Sequence, residues 1–280
     1  MSSVTNRIKE IKQPYGGYIK LKSFNKFELN DGELIFENEN IHGSIVGLVV
    51  DYLSRFLRGD NVEDAFSISL LGAYIAEELG RKGSLKTALK LLKRIKGLDE
   101  KSIINACKLV TFDIWKRNFL AATLAKTYKE IKPDANTIHN IEIFVKRSLN
   151  FFEKYGPVIK DGFSFVPIDH GKDKYTEWLM NGSGSYGGYT HTVESGDGDF
   201  LTADTLWDFK VSKAPPKSMH TLQILMYWIM GKRSGQEMFA GIKKIGIFNP
   251  RLNCIYTIDV NKIPEEVIRT VEKEVIGYLD

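Results

Sequence analysis

The sequence predicts an α/β protein in which a mainly helical region is inserted into, or packed N-terminal to, a mixed-sheet core. Of the 280 residues, 43% are hydrophobic and 26% are charged, which is enough apolar material for a packed core and excludes wholesale disorder. The apolar period changes from two near the N-terminus to three and four between residues 43 and 155. Strand-like and helix-like segments then alternate. We therefore predict two regions, 1–156 and 157–280, with the first helix after residue 42 forming one compact unit with the second region.

The N-terminal region is predicted to contain a hairpin. Residues 17–37 alternate apolar and polar side chains and are interrupted by Asn30-Asp31-Gly32. A turn of this composition between two alternating segments favours a pair of antiparallel strands.

The next region is predicted to be helical. Its apolar spacing indicates helices at 43–57, 62–79, 81–96 and 140–155. Asp134 or Asn136 is expected to cap the last of these helices, and Gly156-Pro157 to end it.

The C-terminal region is predicted to mix strands and helices. Strands are expected at 162–168 and 187–193, joined by a flexible link that contains residues 181–185. Hairpins are expected at 198–213 and 243–260, with helices from about residue 217 to 230 and from Pro264 onward.

Several classes of protein are disfavoured by composition. Cys107 and Cys254 are too few for a disulfide framework or a four-cysteine metal site. No apolar run approaches the roughly 18 residues of a membrane span, and the N-terminus lacks the apolar segment of a secretion signal. We therefore expect a cytoplasmic protein with no membrane partner. The net charge of +4 permits a polyanionic partner without requiring one.

The densest chemical signal lies between residues 196 and 227. On a strand through residues 205–211, Asp208 and Lys210 project from the same face. A short turn at 202–204 would bring Asp199 close to Asp208. Two neighbouring carboxylates suit Mg²⁺ or Mn²⁺, and Lys210 could orient a water or neutralise charge on a phosphate.

The following helix offers a polar stripe. His220, Gln223 and Tyr227 are spaced i, i+3 and i+7 and therefore share a face. We expect this stripe to line the same cleft as the two acids. His220 would contact nucleic acid there, or it could simply cap the helix.

These motifs resemble those of a known superfamily. Asp199 followed by Asp208-Phe209-Lys210 resembles the PD-(D/E)XK signature of restriction-endonuclease-like nucleases, over roughly residues 157–260. The GxxD ending at Asp199 and the QxxxY from Gln223 to Tyr227 are similar to motifs of its RecB-like exonuclease branch.

The resemblance implies a restriction-endonuclease-like core and a metal-dependent nuclease, for which we expect DNA rather than RNA as the substrate. Asp199, Asp208 and the backbone carbonyl of Phe209 would hold Mg²⁺ or Mn²⁺, Lys210 would assist the attacking water, and Gln223 with Tyr227 would support the site or the nucleic acid.

An upstream helical motif departs from the branch pattern. Gly47 stands where the branch has histidine, so the third metal ligand is left to Asp51 or His42. Asp51 could equally lie on the solvated side of its helix.

A basic stripe is predicted on the helix near residues 81–96. It consists of Lys82, Lys86, Lys90 and Lys93, which could bind a nucleic-acid backbone or form an ordinary solvated face.

Two alternatives to a nuclease stay open. One is a catalytically inactive nuclease-fold protein that binds nucleic acid or a protein partner, and the other is an interaction protein whose helical layer binds a partner.

Overall fold

The computed structural model describes residues 2–166 and 184–279 of the chain. These residues form two units, a sheet unit of Met1–Leu29 with Phe152–Asp280 and a helical unit of Asn30–Phe151. The division differs from the expected boundary near residue 157, because the first 29 residues pack with the C-terminal region.

The sheet is mixed. Its strands are β1 (Ser2–Ser3), β2 (Asn25–Glu28), β3 (Val158–Val166), β4 (Gly184–Tyr186), β5 (Val193–Thr202), β6 (Thr205–Phe209), β7 (Lys244–Asn249) and β8 (Cys254–Asp259). Within the described residues the strand order is β2-β8-β7-β6-β5-β3-β4, with the short β1 paired beside β5. The β6–β7, β3–β4 and β1–β5 pairs are parallel, and the others are antiparallel. The predicted α/β class with a mixed sheet is therefore confirmed.

Helices occur in both units. The sheet unit contains α1 (Val4–Glu10), α10 (Ser218–Arg233), α11 (Glu237–Ala240) and α12 (Glu265–Thr270), which a π-helical turn extends over Val271–Ile276. The helical unit contains α2 (Gly43–Arg58), α3 (Val62–Ala65), α4 (Ser67–Glu78), α5 (Ser84–Leu92), α6 (Glu100–Leu109), α7 (Asp113–Arg117), α8 (Phe119–Ala122) and most of α9 (Ala135–Tyr155). Short 3₁₀ turns lie at Leu21–Ser23, Val110–Phe112 and Val260–Lys262.

The core of the sheet unit is built around α10. This helix is buried along most of its length, because Thr221, Leu222 and residues 224–231 are all shielded from solvent. Its apolar side chains pack with Leu201 and Leu206 of the β5–β6 hairpin and with apolar residues of α1. A helix buried on nearly all sides is a rigid support for the polar side chains that it carries.

The predicted N-terminal hairpin is wrong. The turn at Asn30-Asp31-Gly32 does form, with the Gly32 N–H donating to Asn30 Oδ1 at 3.0 Å and a Gly32 φ of 71°. However, β2 pairs with β8 instead of with residues 33–37. Those residues contact α9, where the amide of Asn140 accepts from the Phe36 N–H at 2.9 Å and donates to the Phe36 carbonyl at 2.8 Å.

The region before β5 also differs from the prediction. Residues 181–183 of the predicted link lie outside the described residues, whereas Gly184–Tyr186 form β4. The strand predicted at 187–193 is absent, because β5 begins only at Val193 and Gly187 and Gly188 have positive φ angles of 89° and 73°. A Cβ at Gly188 would lie 2.2 Å from the Met230 carbonyl oxygen, so only glycine fits this close approach.

The ends of the predicted helices are largely confirmed. Gly59 ends α2 with a φ of 120°, and Asp134 Oδ1 accepts from the Thr137 N–H at 2.8 Å near the start of α9. The basic helix is shorter than expected, since α5 starts after Gly83, which has a left-handed backbone, and ends at Leu92.

Among the described residues, no helix combines the length and the apolar character that crossing a membrane requires.

Candidate active site

The β5–β6 hairpin brings the two predicted acids together. Phe200 pairs with Trp207 and Leu201 with Leu206, so the same register, continued by one residue, places Asp199 opposite Asp208. Asp199 Oδ2 also accepts the backbone N–H of Phe209 at 2.5 Å. The prediction that this turn brings the two carboxylates close together is therefore confirmed.

Asp208 is the most deeply buried polar group of the site. Its residue is only 2% exposed, and its Oδ1 accepts from Lys210 Nζ at 2.8 Å. Its Oδ2 is also buried and has no hydrogen-bond partner among the described residues. Because an unpaired buried acceptor costs about 1–3 kcal/mol, and more when it is charged, this oxygen is suited to a cation ligand.

Lys210 carries a positive charge beside these carboxylates. Burial by itself lowers the pKa of the ammonium, but the negative charges of Asp208 and Asp199 outweigh that effect and raise the pKa above its usual value. The side chain is still 26% exposed. Lys210 is therefore a stable cation that can reach solvent at the edge of the acid pair.

Tyr227 lies deep in the same site. Its hydroxyl accepts from Gln223 Nε2 at 3.1 Å, which agrees with the predicted shared face of these two residues. Burial, followed by the charges of Asp208, Asp199 and the nearby Asp197, raises the pKa of the phenol well above its usual value. The hydroxyl is therefore neutral near the acids.

Gly196 of β5 has no side chain, and this allows the strand to approach α10 closely. A Cβ at this position would lie 2.7 Å from Val4 Cγ2 and 3.1 Å from Tyr227 Cε1. The Tyr227 ring also contacts Phe163 edge to face, with 6.0 Å between ring centroids. The glycine that begins the GxxD motif and the tyrosine that ends the QxxxY motif thus lie too close together for a side chain to fit between them.

His220 lies at the start of α10. Its Nδ1 accepts the backbone N–H of Lys217 at 3.0 Å, which is the capping role considered as the alternative from the sequence. Burial, followed by the charges of Lys210 and Lys217, lowers the pKa of the imidazole to about 4. The ring is therefore neutral at physiological pH, and Nε2 carries the proton.

The other candidate metal ligands, Asp51 and His42, belong to the helical unit. Arg55 donates to both carboxylate oxygens of Asp51, at 2.9 and 3.0 Å. His42 precedes α2 and accepts the Ser44 N–H at 3.2 Å.

The lysines of the predicted basic stripe are all exposed. Lys86 and Lys90 lie on α5, Lys93 is its C-cap, and Lys82 precedes the helix. The helical spacing therefore applies to Lys86, Lys90 and Lys93, whereas Lys82 extends the stripe through a turn.

One contact that shapes the site could not be predicted from the sequence. Val4 of α1 packs against Gly196 and helps hold the region around Tyr227. No local signal could have revealed this contact, because nearly two hundred residues separate the two positions.

No family model, curated protein or solved structure matches this chain. Within residues 2–166 and 184–279, there is also no group of three or more His, Cys, Asp or Glu side chains arranged to hold a metal ion. The candidate active site therefore rests on geometry and chemistry alone. It consists of the acid pair Asp199 and Asp208, together with Lys210, Gln223 and Tyr227.

Proposed function

We propose that the protein is a nuclease that hydrolyses phosphodiester bonds, with DNA as its substrate and Mg²⁺ or Mn²⁺ as its cofactor. The observation that carries the proposal is the buried Oδ2 of Asp208, which lies beside Asp199 and Lys210 and has no hydrogen-bond partner in the described part of the chain. The GxxD, DxK and QxxxY motifs lie on β5, at the end of β6 and on α10, which share one core. This arrangement supports a restriction-endonuclease-like core.

The donor set fits a hard divalent cation. Asp208 Oδ2 and the carboxylate of Asp199 supply oxygen ligands of the kind that Mg²⁺ and Mn²⁺ prefer, and the backbone carbonyl of Phe209 is the third proposed ligand. When bound, the ion would lower the pKa of a coordinated water and stabilise charge on the leaving oxygen.

The remaining residues of the site have distinct proposed roles. The Lys210 ammonium is held in place by Asp208, and from there it positions the attacking water or neutralises charge on the phosphate. Gln223 and Tyr227 brace the acid pair through their mutual hydrogen bond and the contact of the Tyr227 ring with Gly196.

Binding of nucleic acid is assigned to two groups of side chains. His220, with its neutral Nε2–H, would contact the substrate near Lys210. The exposed Lys82, Lys86, Lys90 and Lys93 of the helical unit would bind the phosphate backbone without sequence preference.

A catalytically inactive binding protein is the second candidate. The bidentate pairing of Asp51 with Arg55 favours it, because both oxygens of that candidate third ligand already accept hydrogen bonds. In that case the fold would bind nucleic acid or a protein partner without cutting it.

A matched binding and cleavage assay on the Lys210→Ala variant tests the proposal. Because Lys210 acts on the reacting water or phosphate, we expect the variant to lose cleavage far more than affinity for the same oligonucleotide. The matched control is Lys244→Ala, which removes a half-exposed lysine that pairs with Asp204 in the hairpin turn. Equal losses of binding and cleavage, or wild-type cleavage by Lys210→Ala, would contradict the proposal.

A further inference from the structure

A second feature of chemical interest lies in the helical unit, on and beside α5. Residues 81–96 contain seven basic residues and no acidic residue. Lys82, Lys86 and Lys90 are exposed, and none of them is ion-paired or hydrogen-bonded through its side chain to another part of the chain that the structure describes. Their charge is therefore available to an anionic partner.

Trp115 of α7 lies beside Arg81, the first residue of this basic region. The Arg81 guanidinium lies 5.7 Å from the centroid of the Trp115 ring, in a cation–π contact. Trp115 is partly exposed, and Lys116 beside it is exposed. We call Arg81, Lys82, Lys86, Lys90, Trp115 and Lys116 together the Trp115 surface.

The support beneath Trp115 is rigid. Asp113, the first residue of α7, is buried and accepts hydrogen bonds from Ser69 of α4 and, at 2.6 Å, from Tyr52 of α2. A Cβ at Gly72 of α4 would lie 2.0 Å from the Phe112 carbonyl oxygen. The backbone of α4 therefore packs directly against the backbone that leads into α7. An aromatic ring on such a base loses little conformational freedom when it binds a partner.

We propose that the Trp115 surface binds single-stranded nucleic acid. Lys82, Lys86 and Lys90 contact phosphates along the strand, and Trp115 together with Arg81 stacks on an unpaired base. Lysines four residues apart on a helix are about 6 Å apart along its axis, so Lys86 and Lys90 can reach different phosphates.

The aromatic component is what selects the single strand. Base stacking on an aromatic ring is independent of sequence, because every base has a π face. A duplex keeps those faces inside its own stack, so it would gain only the phosphate contacts. This inference rests on the proposed nucleic-acid partner and does not require hydrolysis.

The test uses the full-length chain in EDTA, so that binding is measured without cleavage. Fluorescence anisotropy would compare a 15-nucleotide oligo-dT with a DNA duplex of equal length, across a range of salt concentrations. We expect Trp115→Ala to weaken oligo-dT binding by about 5- to 150-fold, the range expected for one lost base stack, and to leave duplex binding unchanged.

Two further variants separate charge from stacking. In Lys86→Ala/Lys90→Ala, the slope of log affinity against log salt should become shallower by about 1.4, or about 0.7 for each phosphate contact to a single strand. Lys101→Ala/Lys126→Ala removes two exposed lysines elsewhere in the same unit, and the salt slope should keep its wild-type value.

Photocrosslinking of the wild-type chain to 5-iodouracil-labelled oligo-dT covers the case in which Trp115→Ala does not fold. The crosslinked peptide is expected to contain Trp115. The inference is overturned if the crosslink lies elsewhere, or if Trp115→Ala weakens oligo-dT and duplex binding equally. Binding to anionic vesicles or an acidic peptide but not to oligo-dT would also overturn it. Cleavage in Mg²⁺, assayed separately, distinguishes failure of this surface from failure of the proposed nuclease.

Discussion

Asp208 predicts a metal-dependent gain in stability that can be measured without any substrate. Its Oδ2 is buried and has no partner among the described residues, while its Oδ1 is bonded to Lys210. A cation bound by Asp208 and Asp199 would satisfy that oxygen in the folded state only. Addition of Mn²⁺ or Mg²⁺ should therefore raise the melting temperature of the wild-type chain.

The size of this effect follows from binding linkage. At a metal concentration one hundred times the dissociation constant, the stabilisation is about 2.7 kcal/mol. For a unit of the size of the sheet unit, each 1 kcal/mol shifts the melting temperature by roughly 2–4 °C. The predicted shift is therefore roughly 5–11 °C at that metal concentration. Asp208→Asn should remove it, because the amide lacks the charge that holds the ion.

The assay is differential scanning fluorimetry with and without metal, supported by isothermal titration with Mn²⁺ alone. Asp204→Asn is the matched control, since it removes a carboxylate from the turn of the same hairpin that contacts Thr205 and Lys244 instead of the acid pair. An equal metal-dependent shift in wild type and Asp208→Asn would refute the reasoning, and so would the absence of any shift in wild type.

Three further predictions concern stability. Gly196→Ala would place a methyl group against the Tyr227 ring and should cost about 1–3 kcal/mol by overpacking; an unchanged urea midpoint would contradict this. The hydrogen bond from Arg147 lowers the pKa of Asp31, so this pair stabilises the fold above the unfolded-state pKa near 3.8, and the stabilisation is lost as the pH falls through the lower folded-state pKa. Acid denaturation of Asp31→Asn should lack that component, and a curve identical to wild type would count against it. Tyr52→Phe removes a hydrogen bond to the buried carboxylate of Asp113 and should lower the free energy of unfolding by about 1–3 kcal/mol. Chemical denaturation would measure this loss, and Tyr15→Phe, at an exposed position, is the control that should leave the unfolding free energy unchanged.

Features set by local chemistry could be predicted from the sequence. The β5–β6 and β7–β8 hairpins follow from short turns between alternating strands, and the position of α10 follows from its apolar spacing. The acid pair could be anticipated for the same reason, because a short turn between two strands leaves few arrangements for Asp199 and Asp208.

Features that depend on distant partners could not be predicted. Residues 33–37 alternate like a strand, yet the backbone N–H and carbonyl of Phe36 bond to the Asn140 side chain instead of to another strand. The pairing of β2 with β8 and the stacking of Arg81 on Trp115 likewise join segments with no local signal for each other. The half-burial of the His220 ring beside Lys210, which lowers the pKa of the imidazole and keeps it neutral, likewise could not be predicted from the sequence.

The most direct test of the central claim is cleavage of end-labelled DNA and RNA, in single- and double-stranded form, with Mg²⁺ or Mn²⁺. Wild type would be compared with Asp208→Ala, with Lys210→Ala, and with wild type in EDTA. The account predicts that wild type cuts DNA and that cutting disappears in both variants and in EDTA. A folded, metal-loaded wild-type chain that cuts none of these substrates would contradict the account, as would cutting that persists in Asp208→Ala.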